Sequence, residues 1–233
     1  MPIPRIVALG GGGFDSEALE RSAIDRYLVD LTGKSQPKIC LIPTASGDSI
    51  FRVARFLKAC AAVDAKPSLL ELFRLERDDF VDFLSEQDIV FVSGGNTHNM
   101  LALWRLWGLD DALHQVWEHG TILAGVSAGA NCWFENCSTD SFPARLEVIP
   151  ALGWLEGGFC PHFDEEENRR PMTKQFIESG IQTEVLAVDG GVGCVFEGTE
   201  LKEVFTCHRE ATAYQITGSP YCERKLDAKL LTI

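Results

Sequence analysis

Short apolar runs alternate with amphipathic stretches along the first half of the chain. The runs end in glycine, proline or small polar residues, and helix-like periodicity lies between them. This alternation is typical of βα repeats and predicts a mostly parallel sheet flanked by helices. The predicted strands are Ile6–Leu9, Ile39–Ile42, Ile89–Val92 and Thr121–Val126. The predicted helices are Ser16–Leu31, Ser49–Val63, Asp78–Leu84, Met100–Leu106 and Leu109–His119.

The pattern weakens after Asn131, and Trp133–Gly158 has no clear periodicity. Apolar alternation then returns with glycine-bearing turns, which predicts a C-terminal antiparallel β region. Its predicted strands are Val185–Val188, Gly193–Glu197, Glu203–Thr206 and Thr212–Ile216. Because no repeat, low-complexity tract or linker divides the sequence, we expect one α/β domain over residues 1–233.

The charge of the chain narrows the classes of partner. A formal net charge of -13 gives no broad basic surface for phosphate groups, so we expect no nucleic-acid partner. No apolar run approaches the roughly 18 residues that a membrane span needs, so we expect no membrane partner. The N-terminus has no charged region followed by an apolar region and a cleavage site, and this favours a cytoplasmic location.

The eight cysteines lie mostly within apolar segments. They are therefore expected to be reduced thiols of the core. Cys132 and Cys137 form the nearest pair, without histidine or cysteine partners at zinc-site spacing, so no metal is expected. The run Gly10–Gly13 lacks the spacing of a dinucleotide-binding loop, and we expect no cofactor.

The ends of the predicted strands carry the candidate chemistry, because ligands gather at the carboxyl ends of strands in open α/β sheets. Gly125–Gly129 fits the pattern G-x-S-x-G, in which glycines allow a sharp turn that exposes the serine hydroxyl. Ser127 is therefore the candidate nucleophile, and the Ala128 amide is a candidate oxyanion donor. The alternative is a glycine-rich turn that packs a helix on the sheet or binds a phosphate.

A second cluster, Ser93–Thr97, ends the strand Ile89–Val92. Its glycines permit close approach of the backbone to a bound group, which makes the Gly95 amide the second candidate oxyanion donor. Asn96 and Thr97 are the candidate substrate-binding residues beside it. The alternative is a tight turn in which Asn96 or Thr97 caps a helix.

A serine nucleophile needs a base, and His162 is the best candidate among the five histidines. His114 and His119 fall in a predicted surface helix and His98 opens another. His162 instead stands between apolar residues after Pro161, where the backbone is restricted.

The carboxylate that would orient this base is ambiguous. Asp140 lies on an irregular segment between the serine and the histidine and is preferred. Asp189 follows a predicted strand and ranks second, and Glu135 is the third alternative. Each is also a plausible turn, cap or surface acid. Beyond His162, the guanidinium of Arg169 is suited to a substrate carboxylate, but pairing with neighbouring glutamates is an equal alternative.

Together these motifs resemble the peptidase E family, which includes aspartyl dipeptidases and is related to the cyanophycinases. The matching segments, in the family's order, are Gly94–Thr97, Gly125–Asn131 and Pro161–Phe163. The resemblance implies a fold similar to class I glutamine amidotransferases, which is flavodoxin-like, and peptide hydrolysis by a serine without a metal.

The resemblance also assigns individual residues. It implies that Ser127 is the nucleophile and His162 the base. Asp140 matches an acid between the two, whereas Asp189 stands where family members can carry a glutamate. Arg169 resembles the arginine that recognises the aspartyl carboxylate of the substrate in aspartyl dipeptidases.

The leading hypothesis is a serine peptidase of the dipeptidase type that acts on short peptides, including dipeptides with an amino-terminal aspartyl residue. Two alternatives stay open: an esterase of another serine-hydrolase class, and a non-catalytic ligand-binding protein on an amidotransferase-like scaffold. The expected partner is a small peptide substrate, and a homodimer is compatible with the sequence.

Overall fold

The computed structural model describes residues 2–15, 22–143, 145–218 and 220–232. The strands are β1 (Arg5–Leu9), β2 (Lys38–Ile42), β3 (Lys66–Leu69), β4 (Ile89–Val92), β5 (Ile122–Val126), β6 (Phe134–Phe142), β7 (Arg145–Pro150), β8 (Leu155–Cys160), β9 (Glu184–Val188), β10 (Val192–Glu197), β11 (Glu200–Thr206), β12 (Ala213–Thr217), β13 (Cys222–Lys225) and β14 (Lys229–Leu230). The helices are α1 (Ser22–Leu31), α2 (Ile50–Ala62), α3 (Phe80–Ser85), α4 (Thr97–Trp107), α5 (Leu109–Glu118), α6 (Ala128–Asn131) and α7 (Arg169–Glu178).

The main sheet has eight strands in the order β14-β11-β10-β1-β5-β4-β2-β3. The five strands from β1 to β3 in this order pair in parallel. β10 runs antiparallel to both β1 and β11. The sequence prediction of a mostly parallel sheet with C-terminal antiparallel strands is therefore confirmed, and the four predicted N-terminal strands fall within one residue of β1, β2, β4 and β5.

A second sheet of six strands, in the order β13-β12-β9-β8-β6-β7, was not predicted. Its strands β6, β7 and β8 occupy the segment that showed no periodicity. β6 carries Asn136 and Asp140, residue types that are depleted in strands, and its polar residues blur the apolar alternation. The predicted C-terminal strands also divide: β10 and β11 extend the main sheet, whereas β9 and β12 belong to the second.

Helices cover both faces of the main sheet. Alternate residues of β1 point to opposite faces, so Ile6 and Ala8 join one apolar cluster and Val7 and Leu9 the other. The first cluster includes buried residues of α3, α4 and α5, and the second includes those of α1 and α2. Both faces are thus buried around β1, β2, β4 and β5, which explains why these parallel strands read as continuous apolar runs.

The predicted helices agree with α2, α3, α4 and α5 to within three residues at each end. The first part of the predicted helix Ser16–Leu31, residues 16–21, lies outside the described residues, and its remainder is α1. Helix α7 was not predicted. Six of the eight cysteines are buried, as expected for core thiols. Within the described part of the chain, every helix is too short or too polar to span a bilayer.

Candidate active site

Ser127 occupies the junction between a buried strand and a short helix. It follows β5, and its backbone has φ 55° and ψ -112°, a left-handed conformation that residues other than glycine rarely adopt. The Ser127 carbonyl accepts hydrogen bonds from the amides of Ala130 (3.0 Å) and Asn131 (2.8 Å), which start α6. The chain therefore reverses direction sharply at the serine.

The glycines on either side of Ser127 are required by close packing of the backbone. A Cβ on Gly125 would lie 2.1 Å from the carbonyl oxygen of Gly129. A Cβ on Gly129 would lie 2.3 Å from the carbonyl oxygen of Val92, at the end of the neighbouring strand β4. The spacing G-x-S-x-G thus seats the turn tightly against two adjacent strands.

The end of β1 anchors both candidate reacting residues. The Ser127 amide donates to the Leu9 carbonyl (3.1 Å), and the His162 amide donates to the Gly10 carbonyl (3.3 Å). A Cβ on Gly10 would lie 2.3 Å from the Asp189 carbonyl oxygen, so only glycine fits there. Consecutive carbonyls of one strand end therefore hold Ser127 and His162 on the same edge of the sheet, as the sequence analysis expects for a site.

His162 is paired with Glu165, a carboxylate that is not among the three acids predicted from the sequence. Its Nδ1 lies 2.8 Å from Glu165 Oε2, and the side chains are 21% and 33% exposed. His162 also has a positive φ of 52°, and its carbonyl accepts hydrogen bonds from the amides of Glu165 and Glu166. With Nδ1 facing the carboxylate, Nε2 is the ring nitrogen left to accept a proton.

The three acids proposed from the sequence are bound elsewhere, which corrects the expectation that one of them contacts the base. Asp140 is 68% exposed at its side chain, and its Oδ1 is 3.8 Å from Arg169 Nη2. Glu135 Oε2 accepts from the Gly157 amide (2.9 Å) on β8. Among the described residues, the carboxylate hydrogen-bonded to His162 is that of Glu165.

Asp189 links the end of β9 to the start of β12 by hydrogen bonds to Thr212. Its Oδ2 accepts from the Thr212 amide (2.9 Å), and its own amide donates to the Thr212 carbonyl (3.0 Å). The other oxygen, Oδ1, is buried with no hydrogen-bond donor among the residues that the structure describes. Burial raises the pKa of Asp189 to about 6, helped by the nearby charge of Asp164.

Gly95 lies beside the loop that follows β2. Its φ is 144°, and a Cβ there would be 2.2 Å from the Ala45 carbonyl oxygen. The next amide, of Asn96, donates to that same oxygen (2.7 Å). The position therefore requires glycine, and the loop is held close to the strand ends where Ser127 lies.

The side chains of Asn96 and Thr97 are engaged with the protein. Asn96 Oδ1 accepts from the Asn99 amide (2.8 Å) and caps α4, and its Nδ2 donates to the Ser141 carbonyl (2.9 Å). Thr97 is buried, and its Oγ1 is 3.3 Å from both Asn131 Nδ2 and Thr139 Oγ1. Asn96 thus follows the capping alternative, and Thr97 joins the turn of Ser127 to β6.

Arg169 is buried, with a side chain only 3% exposed. Its Nε donates to Glu166 Oε2 (2.8 Å), and its Nη1 donates to the Ser138 carbonyl (2.9 Å). These bonds correspond to the alternative in which the arginine pairs with a neighbouring glutamate. The same Ser138 carbonyl accepts from Asn131 Nδ2 (3.4 Å), so Arg169 is linked to the helix that follows Ser127.

A cavity of about 830 Å³ lies between the β6–β7 hairpin and the segment that leads into α7. One wall is formed by residues 140–143, 145 and 146, and the other by Glu166, Asn168, Arg169 and Met172. The Asn96 bond to Ser141 connects the first wall to the Gly95 loop. The Glu166 amide, which donates to the His162 carbonyl (3.1 Å), connects the second wall to the candidate base.

An α/β fold with a left-handed serine at a strand end, and a histidine–carboxylate pair anchored beside it, defines the class of serine-type hydrolases. Comparison with known proteins identifies the member of that class. The sequence profile of Peptidase family S51 matches residues 6–204, and the chain belongs to this family of serine-type peptidases.

Individual relatives agree with this identification. The chain is 42% identical over 212 residues to the uncharacterized peptidase YgaJ of Bacillus subtilis (strain 168), covering 91% of each protein. Its fold is similar to that of a peptidase from an acI-B1 Actinobacterium, with a TM-score of 0.70, 20% identity and coverage of 97% and 95%. A Listeria monocytogenes EGD-e protein assigned to peptidase E matches with a TM-score of 0.62, 16% identity and coverage of 97% and 100%.

The family confirms the resemblance to peptidase E and the prediction of a peptidase. Membership of this family favours the peptidase hypothesis over the two alternatives, an esterase and a non-catalytic ligand-binding protein. Because the structural relatives share few residues with this chain, they show the fold alone.

Proposed function

We propose that this peptidase hydrolyses short peptides through an acyl-enzyme on Ser127. The backbone of Ser127 is the observation that carries the proposal. Its left-handed conformation at a buried strand end is strained, and such strain is concentrated at functional sites. The anchoring of His162 on the carbonyl next to that of Ser127 supports the same assignment.

In the proposed reaction, the Ser127 hydroxyl attacks the peptide carbonyl while His162 Nε2 accepts its proton. The amides of Gly95 and Ala128 are proposed to donate to the oxyanion of the tetrahedral intermediate. The carbon–nitrogen bond then breaks as His162 returns the proton to the leaving amine. Water, deprotonated by the same histidine, attacks the ester and releases the acid product and the serine hydroxyl.

The cavity between the β6–β7 hairpin and the start of α7 is the proposed site for the substrate side chain. Dipeptides with an amino-terminal aspartyl residue belong to the proposed substrates, but Arg169 would have to exchange its bond to Glu166 for the substrate carboxylate. Because its side chain is buried, we propose that an aspartyl residue is accepted without being required.

Labelling with a fluorophosphonate probe tests the nucleophile. We expect the wild-type protein and the Ser85→Ala control to be labelled, with the adduct found on Ser127 by peptide mass spectrometry. The Ser127→Ala variant is expected to fold and stay unlabelled. A folded wild-type protein that does not react, or an adduct on another residue, would overturn the proposal.

A dipeptide panel tests the substrate class. We expect hydrolysis of dipeptides with acidic and with neutral first residues, and we expect Arg169→Ala to lower kcat/KM by similar factors for both. A loss confined to the aspartyl dipeptides would show that Arg169 recognises the substrate carboxylate.

A further inference from the structure

We propose that Glu165 is the residue that positions His162 for catalysis, an inference that rests on the proposed function of Ser127. The first observation is the contact itself, since Nδ1 of the ring and Oε2 of the carboxylate are 2.8 Å apart. Asp140, Asp189 and Glu135 have their contacts on Arg169, Thr212 and Gly157. Glu165 is therefore the acid placed to fix the tautomer and the orientation of the imidazole.

The backbone explains why the third residue after the histidine can fulfil this role. His162 has a φ of 52°, and its carbonyl accepts from the amides of Glu165 (3.2 Å) and Glu166 (3.1 Å). This tight turn folds the Glu165 side chain back over the imidazole. Phe163 fixes the turn from the other side, because its amide donates to the Val188 carbonyl (3.2 Å) at the end of β9.

Gly190 provides the space in which the Glu165 carboxylate lies. A Cβ on Gly190 would be 2.3 Å from both Cδ and Oε1 of Glu165 and 2.7 Å from its Oε2. The Gly190 amide donates to Asp164 Oδ1 (2.7 Å), which holds residues 164 and 165 against this position. Because glycine has no side chain, position 190 leaves the space that Glu165 occupies when it pairs with His162.

The chemistry of the pair follows from its geometry. A carboxylate that accepts the Nδ1 proton leaves Nε2 unprotonated and able to accept the serine proton. The same negative charge stabilises the imidazolium that forms when the proton arrives. Because the Glu165 side chain is one-third exposed, water screens part of this charge, and the loss on its removal should be smaller than for a buried acid.

The first experiment replaces Glu165 by glutamine, with Glu167→Gln as the matched control. Both variants remove one negative charge from the same exposed segment, but Glu167 is two residues from the acid that contacts the ring. We expect Glu165→Gln to lower kcat by a factor of about 10² to 10⁴ with little change in KM, Glu165→Asp to recover part of the loss, and Glu167→Gln to behave as wild type.

The second experiment displaces the carboxylate without changing it. Gly190 lies outside the left-handed region, and the atoms that a Cβ would meet belong to the flexible end of Glu165, so Gly190→Ala should fold. We expect it to lower kcat as Glu165→Gln does, and we expect the double variant to lose little more than either single one. Thermal unfolding of each variant separates this loss from unfolding.

The outcomes distinguish the inference from the proposed function. If Ser127 is labelled by the probe but Glu165→Gln and Gly190→Ala keep wild-type kcat, Glu165 does not position the base, while the nucleophile stands. If Glu165→Gln fails to fold, Gly190→Ala decides alone: a folded variant with normal kcat overturns the inference, and one with low kcat supports it.

Discussion

At the scale of single residues, the backbone conformation of Ser127 lowers the stability of the folded protein. A left-handed conformation of a residue other than glycine costs about 1–3 kcal/mol, whereas glycine adopts it without steric strain. Ser127→Gly therefore removes the strain, although glycine costs about 0.5–1 kcal/mol of backbone entropy.

We expect Ser127→Gly to unfold with a free energy about 1 kcal/mol higher than Ser127→Ala, which keeps the strain. Urea denaturation of the two inactive variants measures the difference. Equal stabilities would mean that the backbone at position 127 relaxes once the hydroxyl is removed.

Asp189 makes stability depend on pH in the direction opposite to that of a salt-bridged acid. Burial raises the pKa of Asp189 from 3.8 to about 6. Between these two pH values, the folded state therefore retains a proton that the unfolded state has released. Stability from this residue is therefore full below about pH 4 and is lost as the pH rises to about 6.

The Asp189→Asn variant isolates this effect, because its side-chain oxygen can still accept from the Thr212 amide. We expect the stability of wild type relative to the variant to fall by up to about 3 kcal/mol between roughly pH 4 and pH 7. Urea denaturation across this range measures it. A difference that does not vary with pH would contradict the assignment.

Residue-level prediction from sequence is most specific where local chemistry restricts the choice. Glycines at fixed spacing single out Ser127 as the candidate nucleophile, and a proline with apolar neighbours singles out His162 as the candidate base. Glu165 was missed because it lies in an acidic run, where adjacent carboxylates are equivalent in the sequence. The turn at His162, with its positive φ, brings Glu165 to the ring, while Asp164 and Glu166 contact Gly190 and Arg169.

At the scale of elements, a buried polar network joins the helix after Ser127 to α4 and β6. Thr97 Oγ1 lies 3.3 Å from Asn131 Nδ2 and from Thr139 Oγ1, and Asn131 Nδ2 also donates to the Ser138 carbonyl. Removing the Thr97 hydroxyl takes away two of these hydrogen bonds, each worth about 0.5–1.5 kcal/mol, while Asn131 keeps its bond to Ser138 and Thr139 keeps its bond to Ser141.

We therefore expect Thr97→Val to lower the free energy of unfolding by about 1–3 kcal/mol, whereas Thr97→Ser, which keeps the hydroxyl, stays closer to wild type. Urea denaturation and the KM for a neutral dipeptide are measured together. A higher KM at unchanged stability would instead make Thr97 a substrate-binding residue, as the sequence analysis expects.

The strands of the two sheets differ in how well they can be predicted from the sequence. The central strands β1, β2, β4 and β5 of the main sheet are buried on both faces and read as apolar runs, so the pattern reveals them. β6 has exposed acids at Glu135 and Asp140, and its pairing with β8 shifts register between Phe134 and Asn136. Such a strand is defined by its neighbours in space, which a local pattern does not contain.

At the scale of the whole molecule, the net charge of -13 acts on every charged substrate. The protein repels an anionic peptide at low ionic strength, where the Debye length is about 30 Å at 0.01 M, and much less at 0.15 M, where it is about 8 Å. This repulsion does not act on a peptide without net charge.

We expect kcat/KM for an acidic dipeptide to rise about twofold to fivefold between these salt concentrations, while that for a neutral dipeptide stays constant. Steady-state assays of both peptides at several salt concentrations measure the effect. A fall in kcat/KM for the acidic dipeptide would indicate a local positive potential that outweighs the charge of the chain.

The anchoring of Ser127 and His162 on the adjacent carbonyls of Leu9 and Gly10 has a consequence for engineering. The positions of the two residues are set by two successive carbonyls at the end of β1 in the main sheet, whereas the β6–β7 hairpin that walls the cavity belongs to the second sheet. We therefore expect that the hairpin tip beyond Ser141, whose carbonyl accepts a hydrogen bond from Asn96, can be exchanged between homologues without moving Ser127 or His162. Such chimaeras should change which peptides are cleaved and retain the rate at which an unselective probe acylates the enzyme.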